Sequence, residues 1–155
     1  MSTIDHLLEA AGTSAAGVCE QVLMTPIHWI PNIEPSLAPR LHVAVPLKND
    51  QVAMCVGLVA RWESYSYFTR LMMNMSSEDP LGDQDVNDGI GEMVNMIAGQ
   101  LKKQVSDKYP SLKIGFPTIQ LETSSGIQSS AVETAKKPIA IGVHDAEITV
   151  MLKQN

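Results

Sequence analysis

Residues 85–108 read DVNDGIGEMVNMIAGQLKKQVSDK, and this stretch decides how the rest of the chain is read. At ~100° per residue, Val86, Ile90, Met93, Ile97 and Leu101 gather on one side of a helical wheel, and Asp88, Glu92, Asn95, Gly99 and Lys102 on the other. The first set faces a core. The second is a stripe of acid, acid, amide, glycine and base in which Glu92 and Asn95 stand one turn apart, close enough to reach into one partner site. An interior glycine costs a helix roughly 1 kcal/mol relative to alanine, so Gly89, Gly91 and Gly99 each ask for a reason. Gly99 falls in the stripe, where the missing side chain lets a partner approach the backbone. By periodicity alone, an exposed Glu and Asn on an amphipathic helix still read first as a solvated face.

Working outward, Ile4, Leu7, Leu8, Ala11, Ala15, Val18, Val22 and Leu23 recur at helical spacing behind a Ser2/Asp5 start, which predicts a helix over residues 3–24. Pro26, Pro31, Pro35 and Pro39 forbid a helix over residues 25–40 and leave room for a short strand near residues 27–30. Alternation over residues 41–47, a turn at 48–50 and a β-rich run at 51–60 predict a strand pair. Residues 63–75 carry aromatic and Met residues at helical spacing, a core-packing pattern. Residues 76–84 form a polar link. Asp83, Asp85 and Asp88 then place negative charge at the start of the opening helix, with Lys102, Lys103 and Lys108 toward its end, as the helix dipole prefers. Beyond Pro110, residues 114–121, 138–143 and 147–152 read as strands, with His144, Asp145 and Ala146 turning the last pair and the Ser-rich residues 123–130 as a loop or edge. One order of elements is therefore used twice: long helix, strand, connection, strand hairpin.

A chain of 155 residues with 45% hydrophobic and 18% charged residues suits one globular domain spanning residues 1–155. The net charge of −6, with scattered Lys and Arg, offers no basic surface to nucleic acid. No apolar run approaches the ~20 residues of a membrane span, and residues 1–12 lack the pattern of a signal peptide, so a cytoplasmic protein without membrane contact is expected. His6, His28, His42 and His144 have no metal-ligand spacing, and Cys19 and Cys55 form no C-x-x-C pair. Neither metal nor thiol chemistry is expected. Gly89-x-Gly91 lacks the preceding strand and the motif of a phosphate loop, and the serines near residues 123–130 have no nucleophile elbow.

The spacing Asp88-x-x-x-Glu92-x-x-Asn95-x-x-x-Gly99, set in D-x-I-G-E-M-x-N-x-I-A-G-x-x-K, resembles the signature helix of the CheC/CheX/FliY family of chemotaxis phosphatases. CheC-like members carry two such motifs and this chain shows one, so the closer resemblance is to CheX. It implies an α+β fold made of the CheC-like pseudo-duplicated α-β-x-β-β unit, with two long helices packed on a largely antiparallel sheet. It also implies hydrolysis of the phospho-aspartate of a phosphorylated CheY-type receiver domain: Asn95 orients the attacking water, Glu92 pairs with the receiver's active-site Lys, and Asp88 and Gly99 support them. An amide can orient water but cannot act as a base near neutral pH, which suits that role. The family pattern places Mg²⁺ in the receiver, leaves this chain without a cofactor of its own, and implies a homodimer joined by an edge strand or hairpin that leaves the Glu92/Asn95 face open to solvent. The alternative reading is a non-catalytic CheX-like adaptor that binds a receiver or a flagellar-switch component.

Overall fold

The computed structural model describes residues 1–33, 38–122 and 132–154. Pro35 and the Ser-rich link at 123–130 lie outside the described residues. α1 (Thr3–Val18) opens on a capping box in which Ser2 Oγ accepts the Asp5 N–H at 3.3 Å and the Asp5 carboxylate accepts the Ser2 N–H at 3.1 Å. A single wider turn of π type, Cys19–Leu23, carries the rod on until Met24 turns left-handed at φ 52°. The helix expected at 3–24 is therefore continuous but loosened at its end. There follow β1 (Ile27–Trp29), the hairpin β2 (Arg40–Lys48) and β3 (Val52–Arg61), then α2 (Trp62–Met72) and α3 (Asp83–Gln104). The chain ends with β4 (Lys113–Ile114), β5 (Thr118–Leu121) and the hairpin β6 (Glu133–Ile141) and β7 (His144–Gln154).

The fold is α+β: among the described residues three helices lie on one antiparallel sheet of order β1-β6-β7-β3-β2-β4, with β5 also on the outer side of β2. The two halves interlock. β1 of the first half pairs with β6 of the second, and β5 of the second pairs with β2 of the first, while β3 and β7 meet at the centre. The helices follow the same exchange, α1 lying over β6 and β7 and α3 over β2 and β3. Between helices and sheet lies a core that includes Leu7, Val18, Val45, Leu58, Phe68, Met93, Ile97, Leu101, Ile139 and Ile148. α1 and α3 pack side by side and are tied by Gln104 Nε2 donating to Ser14 Oγ at 3.0 Å.

Two expectations need correction. The strand expected over residues 114–121 is two short strands, because Gly115 is drawn onto Pro46 (Gly115 N–H to Pro46 O, 2.8 Å) and Pro117 has no N–H to continue a ladder. The last hairpin turns at Gly142 and Val143, not at residues 144–146. Gly142 has φ 63°, a backbone state that glycine adopts freely and that suits a two-residue hairpin turn. His144 and Asp145 look like turn residues but belong to β7, where each has a partner. The His144 ring lies 4.4 Å from that of Tyr67, with Nδ1 3.2 Å from Ser64 Oγ, and Asp145 accepts from Arg61 at 3.3 Å. Among the described residues no helix is long and apolar enough to cross a membrane.

Candidate functional site

α3 owes its position to its apolar stripe: Val86, Ile90, Met93, Val94, Ile97, Ala98 and Leu101 are all buried. Each large side chain so buried contributes roughly 1.5–3 kcal/mol, which fixes the rotation of the helix and hence what its other side presents. The start of α3 is held by the Asp85 carboxylate, which accepts the Gly82 N–H at 3.2 Å, and Lys102 and Lys103 occupy its last turn. Asp88 and Glu92 are exposed, as the wheel requires. Asn95 is half-buried, at the shoulder of the helix.

Among the described residues neither Glu92 nor Asn95 has a hydrogen-bonding or ionic partner. Among the described residues the sealed side-chain polar atoms without a partner are Arg70 Nε and Tyr109 Oη, so the Asn95 amide keeps contact with solvent while its stem is held. Asp88 is engaged locally: its Oδ1 accepts from Gln84 Nε2 at 2.7 Å, one turn back. The arrangement is thus an exposed carboxylate and a free amide one turn apart on a helix whose rotation the core determines. It can pair with a cation and orient a small polar molecule such as water.

The three glycines of α3 separate into two kinds. A Cβ on Gly89 would stand 2.8 Å from Thr69 Cγ2 and one on Gly91 3.3 Å from Pro117 Cγ, so these two are explained by close packing against α2 and the loop at 115–117. Gly99 is different. Among the described residues nothing lies within 4 Å of the position its Cβ would take, so no contact between them accounts for it.

Groups outside the stripe have structural roles. His42 Nε2 and Thr149 Oγ1 share a hydrogen bond of 3.0 Å, and burial lowers the His42 pKa. Burial pushes the Cys19 thiol up to about 12 and raises Cys55 as well, which suits unreactive core residues. Among the described residues no group of three His, Cys, Asp or Glu could hold a metal ion. One surface residue the sequence reading passed over is Phe116, 89% exposed between Gly115 and Pro117. The Gly-Phe-Pro triplet was the available signal, since both flanking residues interrupt strands.

Residues 43–144 match the family model of the chemotaxis phosphatase CheX. No curated protein matches the sequence. Solved structures with the same fold include the chemotaxis protein CheX of Vibrio vulnificus, with 14% identity, a TM-score of 0.76 and coverage of 99% of this chain and 100% of that one. A CheC-like superfamily protein of Shewanella sp. PV-4 gives 18% identity, a TM-score of 0.75 and 99% coverage of both chains. The complex of CheX with CheY, BeF3 and Mg²⁺ from Borrelia burgdorferi gives 16% identity, a TM-score of 0.70 and coverage of 94% and 96%.

Proposed function

We propose, from the premise that this chain belongs to the CheX family of chemotaxis phosphatases, that it is a cytoplasmic phosphatase which hydrolyses the phospho-aspartate of a CheY-type receiver domain. One observation carries the reading: Glu92 is exposed and Asn95 half-buried, one turn apart on α3, and neither has a partner among the described residues. The Asn95 amide enters the receiver's active site and holds a water in line with the phosphoryl group. The water oxygen bonds to phosphorus, the P–O bond to the aspartate breaks, and the carboxylate leaves; the water's proton goes to a phosphate oxygen or to solvent, since an amide cannot take it. Glu92 pairs with the receiver's active-site lysine and anchors the two proteins. Mg²⁺ is the receiver's, as the composition of the Borrelia burgdorferi complex suggests. The single sheet shared by both halves supports residues 1–155 acting as one domain.

The test is phosphate release from the phosphorylated cognate receiver with and without this protein. Substoichiometric acceleration is expected; binding without acceleration would assign the chain to the adaptor reading instead.

Gly99 has a supporting role in this scheme, giving the receiver room to approach the helix. Gly99→Ala is expected to raise stability by up to about 1 kcal/mol, because the added methyl meets nothing, while lowering phosphatase activity. Thermal unfolding and turnover measured on the same preparation check it, and unchanged activity would leave Gly99 without that role.

A homodimer joined at a sheet edge completes the proposal. β5 pairs with β2 on one side, and all four of its residues are exposed, which leaves an edge that a second copy can extend. Such a dimer keeps α3 open. Sedimentation is expected to give a dimer, and a clean monomer at tens of micromolar, well above the Kd of a stable interface, would remove it.

A further inference from the structure

We propose that Phe116 is the apolar anchor with which this chain docks the receiver domain, a proposal that rests on the reading of the Glu92/Asn95 face given above. At 89% exposure Phe116 forfeits nearly all of the burial an aromatic ring normally gains. Its loop has little freedom to turn the ring inward, because both neighbours are pinned. The Gly115 N–H donates to Pro46 O at 2.8 Å, and a Cβ on Gly115 would lie 2.7 Å from Pro46 Cγ. On the other side Pro117 packs on Gly91 of α3, 3.3 Å from where its Cβ would be. Gly91 immediately precedes Glu92 and lies one turn before Asn95. The ring is therefore presented beside the stripe on a braced support.

The surroundings extend this surface. In the register of β5 against β2, Ile119 lies opposite Val43 and Leu121 opposite Leu41. Val43 belongs to the core beneath the helices, so both β5 side chains stand on the side of the sheet that carries α3, yet both are exposed. Phe116, Ile119 and Leu121 are thus exposed apolar residues of one short segment, which Pro117 ties to α3. Aromatic side chains are enriched at the centres of protein interfaces.

The occupant is the receiver and not a second copy of this chain. A copy that extends the sheet at β5 takes the backbone groups of residues 118–121, and the ladder ends there because Pro117 has no N–H to offer. Phe116 remains outside that pairing, next to Pro117, which packs on α3. A partner engaging Glu92 and Asn95 needs roughly 800 Å² of its own surface covered, far more than two side chains supply, and Phe116 is the exposed aromatic on the segment that touches α3 at Gly91.

The experiment uses the whole chain and its cognate receiver held in the phosphorylated-like state by beryllofluoride and Mg²⁺. Dissociation constant, steady-state kcat and KM, thermal unfolding and sedimentation are compared for wild type, Phe116→Ala and Phe116→Leu. Phe116→Ala is expected to raise Kd and KM about tenfold or more with kcat, unfolding temperature and oligomeric state unchanged. Phe116→Leu is expected to recover most of the affinity. An unchanged Kd in Phe116→Ala overturns the proposal, and so does a weakened dimer with unchanged receiver affinity, which would assign the ring to the second copy. A wild-type chain that does not bind the receiver at all removes the receiver reading itself, whereas binding by wild type with an indifferent Phe116 removes only the anchor.

Discussion

Asn95→Ala is expected to lower turnover of the phosphorylated receiver by roughly 10²- to 10³-fold while the protein stays folded, taking the loss of one preorganised oxyanion-hole donor as the scale. That corresponds to about 3–4 kcal/mol of lost transition-state stabilisation, because the contact to water matters most when the water is in line with phosphorus. Binding should change little. Asn95 has no internal partner among the described residues, so its removal breaks no hydrogen bond that supports the fold. Its half-buried stem makes the expected stability change small. Glu92→Ala should differ in kind, raising KM as well as lowering kcat, since an anchor to a lysine acts in the ground state and the transition state alike. Steady-state kinetics on the two variants, with thermal unfolding as control, separate the roles. Wild-type turnover by a folded Asn95→Ala protein would refute the water-orienting role.

Ile97→Ala, two residues further along the same helix, is expected to do the reverse. Ile97 is 1% exposed and packed in the core between α3 and the sheet. Truncation removes three carbon atoms and leaves a cavity, a change that costs about 2–5 kcal/mol. Against a total of roughly 5–15 kcal/mol this is a large loss. For a chain of this size it should lower the unfolding temperature by about 5–15 °C. Below that temperature the exposed face still carries Glu92 and Asn95, so turnover of the folded fraction should stay close to wild type. Denaturant unfolding and activity at low temperature measure the two effects. A variant of wild-type stability would mean that α3 does not take its rotation from this core contact.

Neighbouring positions of one helix thus carry opposite burdens, and the sequence already showed which was which. A helix repeats every 3.6 residues, so the burial of Val86, Ile90, Met93, Ile97 and Leu101 and the exposure of Asp88, Glu92 and Lys102 follow from spacing alone. The same local logic placed α1, the β2–β3 hairpin and the order of elements, because capping, turn chemistry and periodicity act between residues close in the chain.

What the sequence by itself determined was therefore an α+β chain built from one unit used twice, with one helix carrying a Glu and an Asn a turn apart. Only the tertiary structure decided how the two halves meet. The pairing of β1 with β6 and β5 with β2 joins residues distant in the chain, chosen by which register buries the helix-side faces of the whole sheet, and no local pattern encodes that choice. The same holds for the glycines: Gly89 and Gly91 look like Gly99 in sequence, and only Thr69 and Pro117, brought against them by folding, tell them apart. It holds for the last turn, where Gly142 outcompetes the more polar residues 144–146 because His144 and Asp145 find partners on α2 and β3. And it holds for Phe116, whose ring is left in solvent because Pro46 and Gly91, contributed by β2 and α3, hold the residues on either side of it.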